Sequence, residues 1–118
     1  MKPMPEDWDR AVAVVAHPDD LEYGVASAVA RWTRQGKQVS YLLVTRGEAG
    51  IAGMPPDKVA PLRVEEERRS AAVVGVTEVE FLDHPDGLVE YGIALRRDLA
   101  AAIRRLQPQV VIGMSFDL

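Results

Sequence analysis

Four residues, His17-Pro18-Asp19-Asp20, end the apolar run AVAVVA (11–16) and are followed at once by a new apolar pattern from Leu21. An imidazole and a carboxylate at this spacing, His17 and Asp20, form a usual donor pair for a zinc-type cation. Asp19 between them is then free to take a proton from an activated water, and zinc lowers the pKa of such a water to ~7, so a modest base suffices. The same letters have a second meaning. Aspartate is a favoured helix N-cap, and acidic residues in a first helical turn are stabilised by the helix dipole. By themselves the four residues leave capping and catalysis evenly matched.

The elements that must position them decide between the two. Apolar runs at 11–16, 39–45, 78–82 and 110–115 read as strands. The first and last are nearly continuous in apolar residues, the pattern of strands covered on both faces. Helical periodicity appears between them, with one face formed by Leu21, Val25, Ala28, Val29 and Trp32 and a stop at Gly36. A second helix is predicted from near Pro61 to about Val74, before Gly75, with a Glu65–Arg69 pair one turn apart. The third carries Leu95, Leu99, Ala102, Ile103 and Leu106 on one face and is closed by Pro108.

Strands alternating with helices predict an α/β fold, a mainly parallel sheet with right-handed crossovers. In such sheets ligands bind beyond the carboxyl ends of the strands. The polar clusters His17–Asp20, Thr45–Gly50, Asp83–Gly87 and Ser115–Asp117 each follow a predicted strand, whereas the segments 35–38, 75–77 and 107–109 at the other end read as plain turns. This asymmetry favours catalysis over capping. The connection GEAGIAGMPPD (47–57) is long enough to border a site, and equally well a surface loop.

Composition bounds the rest. One domain of 118 residues is expected, with 47% hydrophobic and 27% charged residues, ordinary values for a soluble globular protein. Fourteen basic against 18 acidic side chains give a net charge of −4, which offers no electrostatic reason to bind nucleic acid or an anionic membrane. The absence of cysteine excludes disulfides, thiolate zinc sites and thiol catalysis. No signal-peptide core or membrane-length apolar run is present, so a cytoplasmic protein is expected. GEAGIAG lacks the spacing of a dinucleotide or phosphate loop.

The ordered blocks AHPDDLEYG, TRGEAG, Arg63-Val-Glu-Glu66 leading into SAAVVGV, and FLDHPDG resemble the LmbE-like (PIG-L) family of N-acetylglucosaminyl deacetylases over nearly the whole chain, Ala11 to Ser115. The first block, with Glu22 in its last place, is the specific one. The resemblance implies a Rossmann-like three-layer sandwich and zinc-dependent removal of an N-acetyl group from an N-acetylglucosamine-type sugar conjugate. It makes His17 and Asp20 the zinc ligands and Asp19 the general base. It places Glu48 near the sugar, Arg63 on substrate hydroxyls or an anionic substituent, and Asp86 on substrate.

Each of the last three has a plainer meaning: an exposed loop carboxylate for Glu48, a helix-surface pair with Glu66 or Glu67 for Arg63, and turn chemistry before Gly87 for Asp86. The family takes its third zinc ligand from a histidine-rich segment beyond the fourth strand, where this chain reaches Leu118. The expectation is therefore a single, incomplete deacetylase domain over 1–118, truncated after the fourth strand, with the third protein ligand to Zn2+ not in the chain. His84, the other histidine, is expected at the surface or behind the site. A homo-oligomer covering the sheet edge is an open expectation. Two rival readings stand beside the deacetylase: a non-catalytic α/β module binding a small ligand or partner chain, and an amidase of the same family acting on a non-acetyl amide.

Overall fold

The computed structural model describes residues 6–16, 26–46, 53–82, 84 and 92–113. Four strands, β1 (Arg10–Val15), β2 (Gln38–Leu43), β3 (Glu78–Phe81) and β4 (Val110–Gly113), alternate with three helices, α1 (Ala26–Arg34), α2 (Pro56–Val73) and α3 (Ile93–Leu106). All strand pairs are parallel, in the order β3-β2-β1-β4. The chain thus builds outward from β1 through β2 to β3, then crosses back to lay β4 on the other side of β1. This is the parallel α/β sheet predicted from the alternating elements and the Rossmann-like pattern implied by the family resemblance, with its switch point between β1 and β4.

The crossovers put the helices on both faces. Ala11, Ala13, Val15, Val39, Tyr41 and Leu43 form one buried cluster with Val29 and Trp32 of α1 and Ala71 of α2. The alternate residues Val12 and Leu42 face Ala102 of α3, with Val14, Leu82, Leu99 and Leu106 packed around them. The period of two along each strand produces the three layers. β1, paired on both edges and covered on both faces, is buried at Ala11, Val12, Ala13 and Val15, as its unbroken apolar run predicts.

Two expectations are corrected. The apolar run of β4 predicts cover on both faces, yet its residues alternate between half-buried and exposed, with Val111 50% exposed. Among the described residues β4 has a single strand neighbour, β1, so its outer side lacks the packing that buries β1. The second helix starts at Pro56, not near Pro61. Pro56 occupies the first turn, where a missing N–H costs nothing, and Pro55 with ψ 140 supplies the extended residue before it. Pro61 then sits inside the helix at an exposed position, where the carbonyl it fails to pair can face water.

The stops fall where they were read. Gly36 and Gly75 take φ of +87 and +85, the left-handed conformation that ends α1 and α2. Gln107, at φ 47, ends α3 ahead of Pro108.

Candidate active site at the carboxyl rim

Strand register brings the carboxyl ends of the four strands to one edge. Val15 of β1 lies beside Leu43 of β2, which lies beside Phe81 of β3, while Val14 pairs with Gly113 of β4. Hydrogen bonding continues just past the strands. Val44 N–H donates to Val15 O at 2.9 Å, Thr45 N–H to Ala16 O at 3.1 Å and Leu82 N–H to Leu43 O at 2.7 Å. The fully buried Thr45 adds its hydroxyl, donating to the same Ala16 carbonyl at 2.9 Å. Ala16, the residue before His17, is therefore doubly tied to β2, which fixes the point from which the HPDD segment departs.

Of the predicted site residues, Arg63 lies among the described ones; His17, Asp19, Asp20, Glu48 and Asp86 lie outside them. Arg63 is two turns into α2, its side chain 19% exposed, with its guanidinium 3.4 Å from the Glu66 carboxylate. The helix-surface pair read from the sequence is thus present. A helix-surface pair of this kind contributes ~0–1 kcal/mol. Arg69 and Glu65 likewise pair at 3.0 Å, both well exposed.

Other features of the rim had no signal in the spacing. Arg46, following the buried Thr45, sets its guanidinium 6.0 Å from the Phe81 ring centroid at the end of β3. Glu67, one turn beyond Arg63, is a carboxylate with 3% exposure. His84, two residues beyond the last ladder bond of β3, places Nε2 2.7 Å from Asp98 Oδ2 of α3 and is 15% exposed. A sequence shows helical neighbours, not partners brought from 14 positions away.

Among the described residues no group of three or more His, Cys, Asp or Glu could hold a metal ion. The donors proposed for one, His17 and Asp20, belong to the segment that leaves Ala16. An imidazole and a carboxylate suit zinc chemically, and their place in the chain beside the switch point suits a ligand. A groove of about 350 Å³ lined by Ala30, Thr33, Arg34 and Ala72–Gly75 lies between the last turns of α1 and α2. It is at the amino end of the sheet, away from the rim, and lacks convergent acid–base groups.

A doubly wound parallel sheet with helices on both faces defines the class of α/β proteins to which this chain belongs. The family is more specific: the chain belongs to the PIG-L, GlcNAc-PI de-N-acetylase, family, whose model matches residues 12–117. It is 32% identical to the diacetylchitobiose deacetylase of Thermococcus kodakarensis over 90% of this chain and 40% of that protein. The N,N'-diacetylchitobiose deacetylase of Pyrococcus horikoshii, solved with an inhibitor, superposes with a TM-score of 0.85 at 28% identity, covering 90% of this chain and 40% of that one. The 4-carboxy-2-hydroxymuconate hydratase GalB of Pseudomonas putida superposes with a TM-score of 0.78 at 29% identity, over 87% of this chain and 45% of that one. The chain thus spans less than half the length of these relatives. Among the described residues no helix is long and apolar enough to cross a membrane.

Proposed function

We propose that the protein hydrolyses the N-acetyl group of an N-acetylglucosamine-type sugar conjugate, acting as a zinc-dependent deacetylase. The observation that supports the reading is the end of β1 in a PIG-L chain: Ala16, which HPDD follows in the sequence, is bonded beside the switch point of a Rossmann-like sheet. Diacetylchitobiose, an N-acetylglucosamine conjugate, is the substrate named for the relative at 32% identity.

His17 and Asp20 would hold the metal together with a further donor. Zinc bound there supplies Lewis acidity and an acidified water. Asp19 accepts the proton of the attacking water and returns it to the departing amine, so that acetate and a free amino sugar are the products. Glu48 and Asp86 contact sugar hydroxyls. Arg63, 3.4 Å from Glu66, binds a substrate oxygen. The protein acts on a small molecule, with a soluble, cytoplasmic setting as the natural one for such a substrate.

The test uses the protein as its gene encodes it, loaded with zinc, on diacetylchitobiose. Asp19→Ala is expected to retain the metal, by elemental analysis, and to lose about 10²- to 10⁴-fold in kcat. Undiminished turnover in that variant would falsify the assignment of the base. The relatedness of a hydratase motivates one parallel assay. Turnover of 4-carboxy-2-hydroxymuconate with no acetate release would replace amide hydrolysis by water addition.

A further inference from the structure

Among the described residues β3 has one strand neighbour, β2. Val79 and Phe81 pack against the cluster shared by α1 and α2, while the alternate residues of the strand meet α3. Glu80 pairs with Arg105 near the end of α3. Leu82 joins the cluster containing Leu99 and Leu106 of α3. His84 reaches Asp98 at 2.7 Å. Glu80 and Leu82 lie about 7 Å apart along the strand direction. From Arg105 back to Asp98 the helix climbs about 10 Å. The two elements therefore run side by side, antiparallel, with a charged pair at the foot, apolar packing in the middle and the imidazole–carboxylate pair at the top.

The top pair differs from the foot. It lies past Leu82 N–H to Leu43 O, the last ladder hydrogen bond between the two chains among the described residues. Asp98 has Ala94, Leu95, Ala101 and Ala102 at the helical spacings that could offer a partner, so its own helix supplies no cation there. His84 is 15% exposed although it follows an edge strand, so its ring is packed as well as bonded. An imidazole with Nε2 on a carboxylate is fixed in orientation, and this ring sits two positions before Asp86 in the sequence.

We infer that His84 and Asp98 are a positioning pair, which sets where the chain leaves β3 at the rim and thereby the affinity for substrate. The kinetic part rests on the deacetylase reading; the structural part does not. Neither residue touches the reacting atoms in this scheme. Their loss acts on KM while kcat is kept.

The protein as its gene encodes it is compared with His84→Ala, His84→Gln, Asp98→Ala, Asp98→Asn and the double alanine variant. Amide exchange is read at Leu82 and β1, and kinetics on diacetylchitobiose. Each alanine variant should speed exchange at Leu82 by roughly tenfold, leave β1 unchanged, and raise KM about three- to tenfold at constant kcat. The double variant should do no more than either single one, since both remove the same contact. Gln and Asn, which keep a donor and an acceptor, should restore most of the protection.

Wild-type exchange in both alanine variants, additive effects, or a fall in kcat at unchanged KM overturns the inference. Should His84→Ala fail to fold, the Asp98 variants decide, because that side chain is half exposed on its helix. A wild-type protein without deacetylase activity sinks the functional reading alone, and exchange still decides the pair.

Discussion

The Tyr41 phenol points from β2 into the α1–α2 layer and is 2% exposed. Burial pushes its pKa up to about 12, and the negative charge of Glu67 adds to the rise. A tyrosine raised in the folded state from the ordinary 10.0 holds its proton more tightly there than in the unfolded chain. Its contribution to stability is whole below pH 10 and is lost as the pH climbs through about 12. Tyr41→Phe should therefore lose less stability over that alkaline window than the wild type, in denaturant midpoints taken at successive pH values. Tyrosinate absorbance should show one late-titrating phenol that disappears in the same variant. A wild-type midpoint falling no more steeply than that of Tyr41→Phe would count against the burial account. The burial of Tyr41 is legible from its place in VSYLLVT. The buried Glu67 is not, because EEERR reads as a solvated helix face.

Joined elements impose demands that single residues hide. Gly75 ends α2 at φ +85, and a Cβ there would stand 2.7 Å from Thr33 Oγ1 and 2.9 Å from Thr33 Cβ of α1. The Thr33 hydroxyl cannot easily yield, since it donates to Val74 O at 2.6 Å. Gly36, at φ +87, has open space around the same position. Gly36→Ala should therefore cost about 1–2 kcal/mol, for the left-handed backbone alone. Gly75→Ala should cost about 2–5 kcal/mol, because overpacking adds to that strain. Chemical denaturation of the two variants measures the difference, and equal losses would show that Thr33 moves aside. Both stops were readable, because glycine after an amphipathic run is a local signal. The start of α2 was not, since Pro56 and Pro61 are equally plausible first-turn residues from sequence, and the choice depends on where the chain leaves the rim. The outer face of β4 was misread for a related reason: apolar letters report what a strand could bury, whereas cover depends on which strand lies beside it.

Across the whole molecule the two ends of the sheet differ in the residues that follow the strands. At the amino end, the Glu6 carboxylate takes two hydrogen bonds from Arg31, at 2.9 and 3.0 Å, and chiefly for that reason its pKa is lowered. Trp8, 5% exposed, meets the edge of Trp32 at 5.1 Å, with the Lys37 ammonium 5.4 Å from its ring. The Gln109 side chain accepts from the backbone of Asp9 and Arg10, which ties the foot of β4 to that of β1. These contacts close the core on themselves. At the carboxyl end the strands instead lead into the segments rich in His, Asp, Glu and Arg.

The position of HPDD after a strand was legible in the sequence, and the order of the blocks gave the family. The sequence was silent on what clamps the opposite end, because Trp8 precedes the first strand and carries no periodic signal. If the two ends are separable, damage to the clamp should change stability and leave recognition intact. Trp8→Ala empties a buried site of a large aromatic and should cost about 3–5 kcal/mol; Trp8→Phe, which keeps a ring on Trp32, should cost less. Denaturation followed by the fluorescence of the remaining Trp32 measures both. Below the unfolding transition, KM for an amino-sugar substrate should match the wild-type value, since Trp8 packs on Trp32 at the amino end of the sheet. A Trp8→Phe protein that is fully folded yet has lost substrate affinity would show that the core between the two ends transmits strain, and the division of labour along the strands would have to be given up.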